Sequence, residues 1–387
     1  MVVMGACDDA FRQVRDAFAE NFESRDEVGA SLCVALAGRV VVDLWGGFAD
    51  RARTRAWGAD TLVNVFSVGK AFAAVCVLRM AGKGRLDLDD RVAAHWPEFA
   101  ANGKADVSVR QLLSHQAGLP AVSRRLPPGA MLDWPVMTAA LSEQEPWWLP
   151  GSAHGYHVNT FGFLVGEVAR RIDGRSLGTY LSDEVAAPLG ADFHIGLPAS
   201  EESRVADYLW TAPTPAEAEP PGVAPHELME YNAYFNPSGL SGAGTVNTRA
   251  WREAEIPSTN GHGTARGVAR LYQVLAAGGT IDGVEVVDRG VLAEAASEQV
   301  YGEDLLLHRP TRFGLGFQLT QKERPLGPGT RAFGHFGAGG SLGFCDPEVG
   351  LAFGYVGNQA GPRWRNPRNR ALIDAVYDGL GVRATEI

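Results

Sequence analysis

Phe66-Ser67-Val68-Gly69-Lys70-Ala71-Phe72 is the stretch on which the reading of this chain turns. A helix is expected over about 67–82, ended by Gly82-Lys83-Gly84, with Ser67 and Lys70 in its first turn. Side chains three apart share one helical face about one turn apart. A serine at a helix N-terminus sits where free N–H groups and the helix dipole favour negative charge. A lysine buried beside it loses solvation, its pKa falls, and it can take the hydroxyl proton. The apolar run Ala71–Leu78 would supply that burial. Lysine is scarce here: of 35 basic residues only Lys70, Lys83, Lys104 and Lys322 are lysine. Random order would give roughly 0.2 S-x-x-K pairs. Alone, the pair fits equally well an N-cap serine followed by a solvated lysine.

Two more elements stand downstream. Gly155-Tyr156-His157-Val158-Asn159-Thr160 lies between the turn Pro150-Gly151-Ser152 and a helical pattern at Phe161–Arg171. A phenol at a helix entrance can relay a proton when a cation lowers its pKa from about 10. An isolated tyrosine is more often a core residue with its hydroxyl satisfied. Gly334-His335-Phe336-Gly337-Ala338-Gly339-Gly340 closes an expected strand. Glycines there let a substrate approach the backbone, and a free strand N–H can form half of an oxyanion hole. The plainer reading is a tight turn with an ordinary histidine.

The chain has 387 residues, two to three domains at roughly 150 residues each, or one large domain with an insertion. Hydrophobic residues at 45% and charged residues at 21% exclude whole-chain disorder. A net charge of -10 with no basic run argues against nucleic acid. No apolar stretch approaches the ~18 residues needed to span a bilayer, so no membrane partner is expected. Met4-Gly5-Ala6-Cys7 lacks the hydrophobic lead-in of a lipoprotein box. The four cysteines are scattered without a CxxC pair, which points to free thiols and a cytoplasmic address.

Helices are expected at 8–22, 108–115, 159–173, 178–187, 264–277 and 366–379. A hairpin is expected from Ala30–Ala37 and Val40–Trp45, and strands at Phe313–Thr320, Arg331–Phe336, Leu342–Asp346 and Leu351–Val356. The strand spacing is that of an antiparallel meander. Together these give an α/β (α+β) class. Both chain ends, 1–84 and 285–387, are expected to build one α/β domain around a mainly helical insertion at 85–284. Pro213, Pro215, Pro220, Pro221 and Pro225 make 198–245 an irregular stretch expected near the active site.

Ser-x-x-Lys, a tyrosine about 90 residues on, and His-x-Gly near the C-terminus resemble the serine β-lactamase and penicillin-binding-protein fold. Within it the chain is most similar to the family VIII carboxylesterases. Val109-Arg110-Gln111-Leu112-Leu113-Ser114-His115-Gln116-Ala117-Gly118-Leu119-Pro120 resembles the family's LLxHxxGL segment, and Gly261-His262-Gly263-Thr264-Ala265-Arg266 adds support. The resemblance covers about 25–380. It implies an antiparallel sheet flanked by helices, Ser67 as the acylated nucleophile, and Lys70 and Tyr156 as general base and acid. It also implies an oxyanion hole from the N–H groups of Ser67 and Ala338. His335 takes the place of the lysine of the β-lactamase K-T-G motif, with Gly337 beside it.

Two departures bear on substrate. Where such a β-lactamase carries Tyr-x-Asn, this chain has Val158, which cannot hydrogen-bond a side-chain amide. His335 replaces a permanent cation with a mostly neutral imidazole. Both favour neutral acyl esters of small to medium size over anionic β-lactams. Trp148, next to Trp147, is a candidate wall of the acyl pocket. No cofactor and no metal is implied. A homo-oligomer is allowed by the sequence and not specified by it. β-Lactamase, D-amino-peptidase or acyltransferase activity stands as the alternative on the same fold, and a non-catalytic binding protein as the third reading.

Other motifs lead elsewhere. Gly339-Gly340-Ser341-Leu342-Gly343 matches G-x-S-x-G, but Phe344–Glu348 reads as strand and turn where a nucleophile elbow needs a helix. His226-Glu227-Leu228-Met229-Glu230 lacks the second histidine of a zinc helix. His115, His154, His157 and His262 are read as structural.

Overall fold

The computed structural model describes residues 2–211, 228–239, 242–362 and 364–382. The prolines at 213–225, much of the irregular 198–245 stretch, and His226-Glu227 lie outside the described residues.

Among the described residues nine strands form one sheet. They are β1 Val3–Cys7, β2 Gly29–Leu36, β3 Arg39–Gly47, β4 Val300–Glu303, β5 Pro310–Phe313, β6 Gln318–Leu319, β7 Phe333–Phe336, β8 Leu342–Asp346 and β9 Leu351–Gly357. Their spatial order is β1-β3-β2-β9-β8-β7-β6-β5-β4, antiparallel throughout. The expected meander is therefore present, and the two chain ends meet at the β2–β9 pairing, where Leu36 faces Leu351.

β2 shows why its run is continuously apolar. Successive side chains point to opposite faces. Leu32 and Val34 join a core with Phe18 of helix α1 (Arg12–Ser24). Cys33 and Ala35 join the core on the other face. Both faces are covered, so neither set can be polar. The helix at Gly69–Gly82 is α2, Trp134–Glu143 is α3, Phe161–Asp173 is α4, Ala265–Ala276 is α5 and Pro367–Gly379 is α6. α1 and α6 pack against each other and share the first core, while Val268, Leu271 and Tyr272 of α5 pack in the second.

Several expectations shift. β1 lies in a segment expected to hold no element, and β4 was also not anticipated. The expected strand Phe313–Thr320 is two strands, β5 and β6, because the chain turns at Gly314-Leu315-Gly316, where Gly316 adopts φ +81°. α5 falls in the stretch expected as the helical insertion, yet it lies on the large sheet.

An ion pair ties the ends. Arg368 of α6 meets Glu27, just before β2, at 3.0 Å, with both side chains buried. Tyr355 of β9 also donates to Glu27. The same guanidinium donates to the carbonyls of Gly339 and Gln359.

Candidate active site

Ser67 sits in a single tight turn, Phe66–Val68, that leads directly into α2. Phe66 holds φ at +49°, a left-handed value that costs a non-glycine residue about 1–3 kcal/mol. Its ring is clamped at 4.8 Å by Tyr208 and 6.0 Å by Trp210. Packing thus keeps the strained turn. α2 is apolar all round from Ala71 to Leu78 because every face of it is covered.

Lys70 is fully buried. Its Nζ lies 2.7 Å from the Val158 carbonyl, 3.0 Å from the Ser258 carbonyl and 3.1 Å from Ser67 Oγ. Burial holds its pKa well below the usual lysine range. Proton counting then gives the arrangement a direction. A neutral amine has two N–H groups and one lone pair. Two carbonyls take the two hydrogens, and the lone pair is left for the Ser67 hydroxyl to donate into. Ser258 was not anticipated from the sequence. It acts through a backbone carbonyl, and no residue type announces that.

Tyr156 brings the third group. Lys70 Nζ stands 4.8 Å from its ring centre. Burial pushes the phenol pKa up. The phenol is therefore a neutral proton donor near pH 7. Its Oη has no hydrogen-bond partner among the described residues. Asp304 fixes the backbone beneath it, accepting from Tyr156 N at 3.0 and 3.1 Å. The same carboxylate accepts from the N–H groups of Leu306 and Leu307 and from the Thr311 hydroxyl. Asp304→Ala would leave the N–H groups of Tyr156, Leu306 and Leu307 without this acceptor. A loss of about 3 kcal/mol or more in urea unfolding is expected.

The neighbouring histidines hydrogen-bond within the loops around Tyr156. His157 Nδ1 lies 2.6 Å from the Gly155 carbonyl and Nε2 accepts from Leu119 N, so the proton sits on Nδ1. His115 Nδ1 accepts from His157 N. Burial pushes His157 down to about 3. His154 contacts the Thr311 hydroxyl.

The strand motif arrives from β7, which packs on the Phe66–Val68 turn. A Cβ on Gly337 would stand 2.3 Å from the Val65 carbonyl, so only glycine lets the two segments approach this closely. Tyr208 donates to the Ala338 carbonyl at 3.2 Å. His335 is buried, donates from Nδ1 to the Phe336 carbonyl and leaves Nε2 unpartnered. Burial lowers its pKa to about 3. It is neutral at pH 7.

Val158 contributes its carbonyl to Lys70 and packs its side chain on the Tyr156 cluster. Trp148 packs on Gly155 and edge-on to His157 at 6.0 Å, bracing the Tyr156 loop. Trp147 is the tryptophan of the pair that reaches the Tyr156 cluster. Ser341 precedes β8 directly, with no helix behind it. Among the described residues no group of three His, Cys, Asp or Glu is placed to hold a metal, and no helix is long and apolar enough to cross a membrane. A separate cavity of about 880 Å³, walled by Trp96, Trp134, Leu177 and Glu255, includes none of the site residues.

Residues 14–378 match the family model described as Beta-lactamase. The chain belongs to that family. It is 37% identical over 361 residues to the esterase/beta-lactamase LipL of Mycobacterium tuberculosis, covering 92% of this chain and 83% of LipL. A family VIII carboxylesterase of known structure shares 43% identity at a TM-score of 0.90, covering 98% of this chain and 100% of that one. A penicillin-binding protein homologue from Caulobacter crescentus is similar at 43% identity and a TM-score of 0.89, covering 98% and 100%. The α/β architecture with its antiparallel sheet is that of these neighbours.

Proposed function

We propose that this protein is a serine ester hydrolase, a carboxylesterase working through an acyl-enzyme on Ser67. The observation that carries the reading is the buried Lys70 amine, with two hydrogens held by carbonyls and its third direction open to Ser67 Oγ. Ser67 Oγ attacks the ester carbonyl as its proton passes to Lys70 Nζ. The oxyanion is held by the backbone N–H groups of Ser67 and Ala338. Tyr156 protonates the departing alcohol and recovers a proton from Lys70. Water then attacks the acyl-enzyme, and the same groups return Ser67 to its resting state. The esterase and carboxylesterase names of its relatives support the reaction class.

Small to medium acyl esters are the proposed substrates. His335 is neutral, and Val158 offers no amide to a β-lactam side chain. The name of LipL favours β-lactam hydrolysis as a second, weaker reading. The ratio of kcat/KM for a short-chain p-nitrophenyl ester to that for a cephalosporin separates them. A ratio above about 100 in favour of the ester is expected; a ratio below one reverses the assignment.

The division into an α/β domain at 1–84 and 285–387 and an insertion at 85–284 belongs to this proposal, with α5 counted on the sheet side. So does a cytoplasmic location, which cell fractionation tests.

A further inference from the structure

A guanidinium stands beside this site without an ion pair among the described residues. Arg309 lies just before β5, and its Cζ is 4.8 Å from the centre of the Trp364 indole. Trp364 in turn packs at 5.2 Å on Tyr156. Arg309 makes no ion pair among the described residues, and its Nε is buried without a hydrogen-bond partner. Glu303, opposite Pro310 on β4, makes no ion pair with Arg309, and the other acids of this corner are engaged. Asp304 is filled by its four donors, and Glu230 pairs with His308. The neighbouring Arg324 is satisfied by the carbonyl of Pro310 and the side chain of Gln321. Arg365 also has an unpartnered Nε, but its charged neighbours are Arg370 and Asp374 of α6.

Leaving a buried donor unmet is costly. A flat guanidinium stacked on an indole is pre-organised for a carboxylate, which it grips with two parallel hydrogen bonds. Its place fixes which part of the substrate it reads. Tyr156 hands its proton to the departing alcohol, so the alcohol lies at Tyr156, and Arg309 lies one indole ring further on. His335, neutral, supplies no charge for an anion; Arg309 supplies one from a different element.

We propose that Arg309 is a specificity-determining residue that binds a carboxylate on the alcohol portion of the ester, so that O-acylated hydroxycarboxylic acids are preferred substrates. This rests on the ester hydrolase reading above.

The test uses a matched pair: the butyrate ester of para-hydroxyphenylpropionic acid, and the butyrate ester of the corresponding primary amide. The two differ only in the remote charge. The wild-type protein is expected to favour the acid by roughly 10- to 100-fold in kcat/KM. Arg309→Gln is expected to abolish that preference, and Arg309→Lys to keep part of it. Equal rates on the two esters, an unchanged ratio in Arg309→Gln, or a parallel fall on both overturns the proposal, the last marking Arg309 as structural. Hydrolysis of neither ester, with Ser67 unlabelled by a fluorophosphonate, overturns the hydrolase reading and the assignment with it.

Discussion

Ser67→Ala should abolish labelling by a fluorophosphonate probe and lower kcat/KM on a short-chain p-nitrophenyl ester by about 10⁴-fold or more, since the nucleophile has no substitute. Peptide mapping of the labelled wild-type protein should place the adduct on the peptide holding Ser67. Alanine removes one oxygen from a tightly packed turn, so the unfolding midpoint should change little. Full activity in Ser67→Ala would falsify the assignment and return attention to Ser341. Labelling at Ser341 would be hard to reconcile with β8 following it at once.

Lys70→Met should cost about 10³-fold in kcat/KM, within the usual range for removing a general base. Methionine keeps the length and the apolar bulk, so the loss reports the amine. The reactive form is the unprotonated amine, so activity rises as Lys70 loses its proton. Burial moves that rise well below the ordinary lysine value of 10.5. A rising limb near 10.5 in the wild type would sink the argument from burial. Stability follows the same group with a definite sign. Between the depressed folded-state pKa and 10.5 the unfolded chain binds a proton that the folded chain does not. Lys70 therefore makes folding stability increase with pH across that window, and its burial costs most below it. Lys70→Met should flatten this slope.

Much of the fold was legible because patterns of burial write themselves into sequence. α2 and α4 were found at nearly their observed bounds, since apolar residues must cover their contact faces. β1 was not, because its burial pattern is that of an exposed edge strand: Met4, Gly5 and Ala6 are all solvent-facing, and nothing apolar repeats. The site divides in the same way. Ser67, Lys70 and Tyr156 are proposed to act through side chains, which is why the sequence offered them as candidates. Ser258 acts through a carbonyl, and Asp304 and Trp364 act by placing Tyr156, far away in sequence, so no local spacing could reveal them. Lysine scarcity drew attention to Lys70, yet it does not by itself identify a catalytic group. Lys104 is also buried, but its Nζ donates to the carbonyls of Ala101 and Gln144 and lies over the Phe99 ring, with no hydroxyl beside it among the described residues.

The contact between Glu27 and Arg368 spans 341 residues of chain. Its second hand holds Gly339, in the loop that carries the Ala338 N–H proposed for the oxyanion. Synthesis from the N-terminus makes Ser67, Lys70 and Tyr156 long before Arg368 and β9 exist to complete the sheet. A growing chain would thus carry its nucleophile, base and acid for most of its synthesis with the oxyanion pocket unbuilt. Hydrolytic power would arrive late and all at once, when the last helix docks on the first.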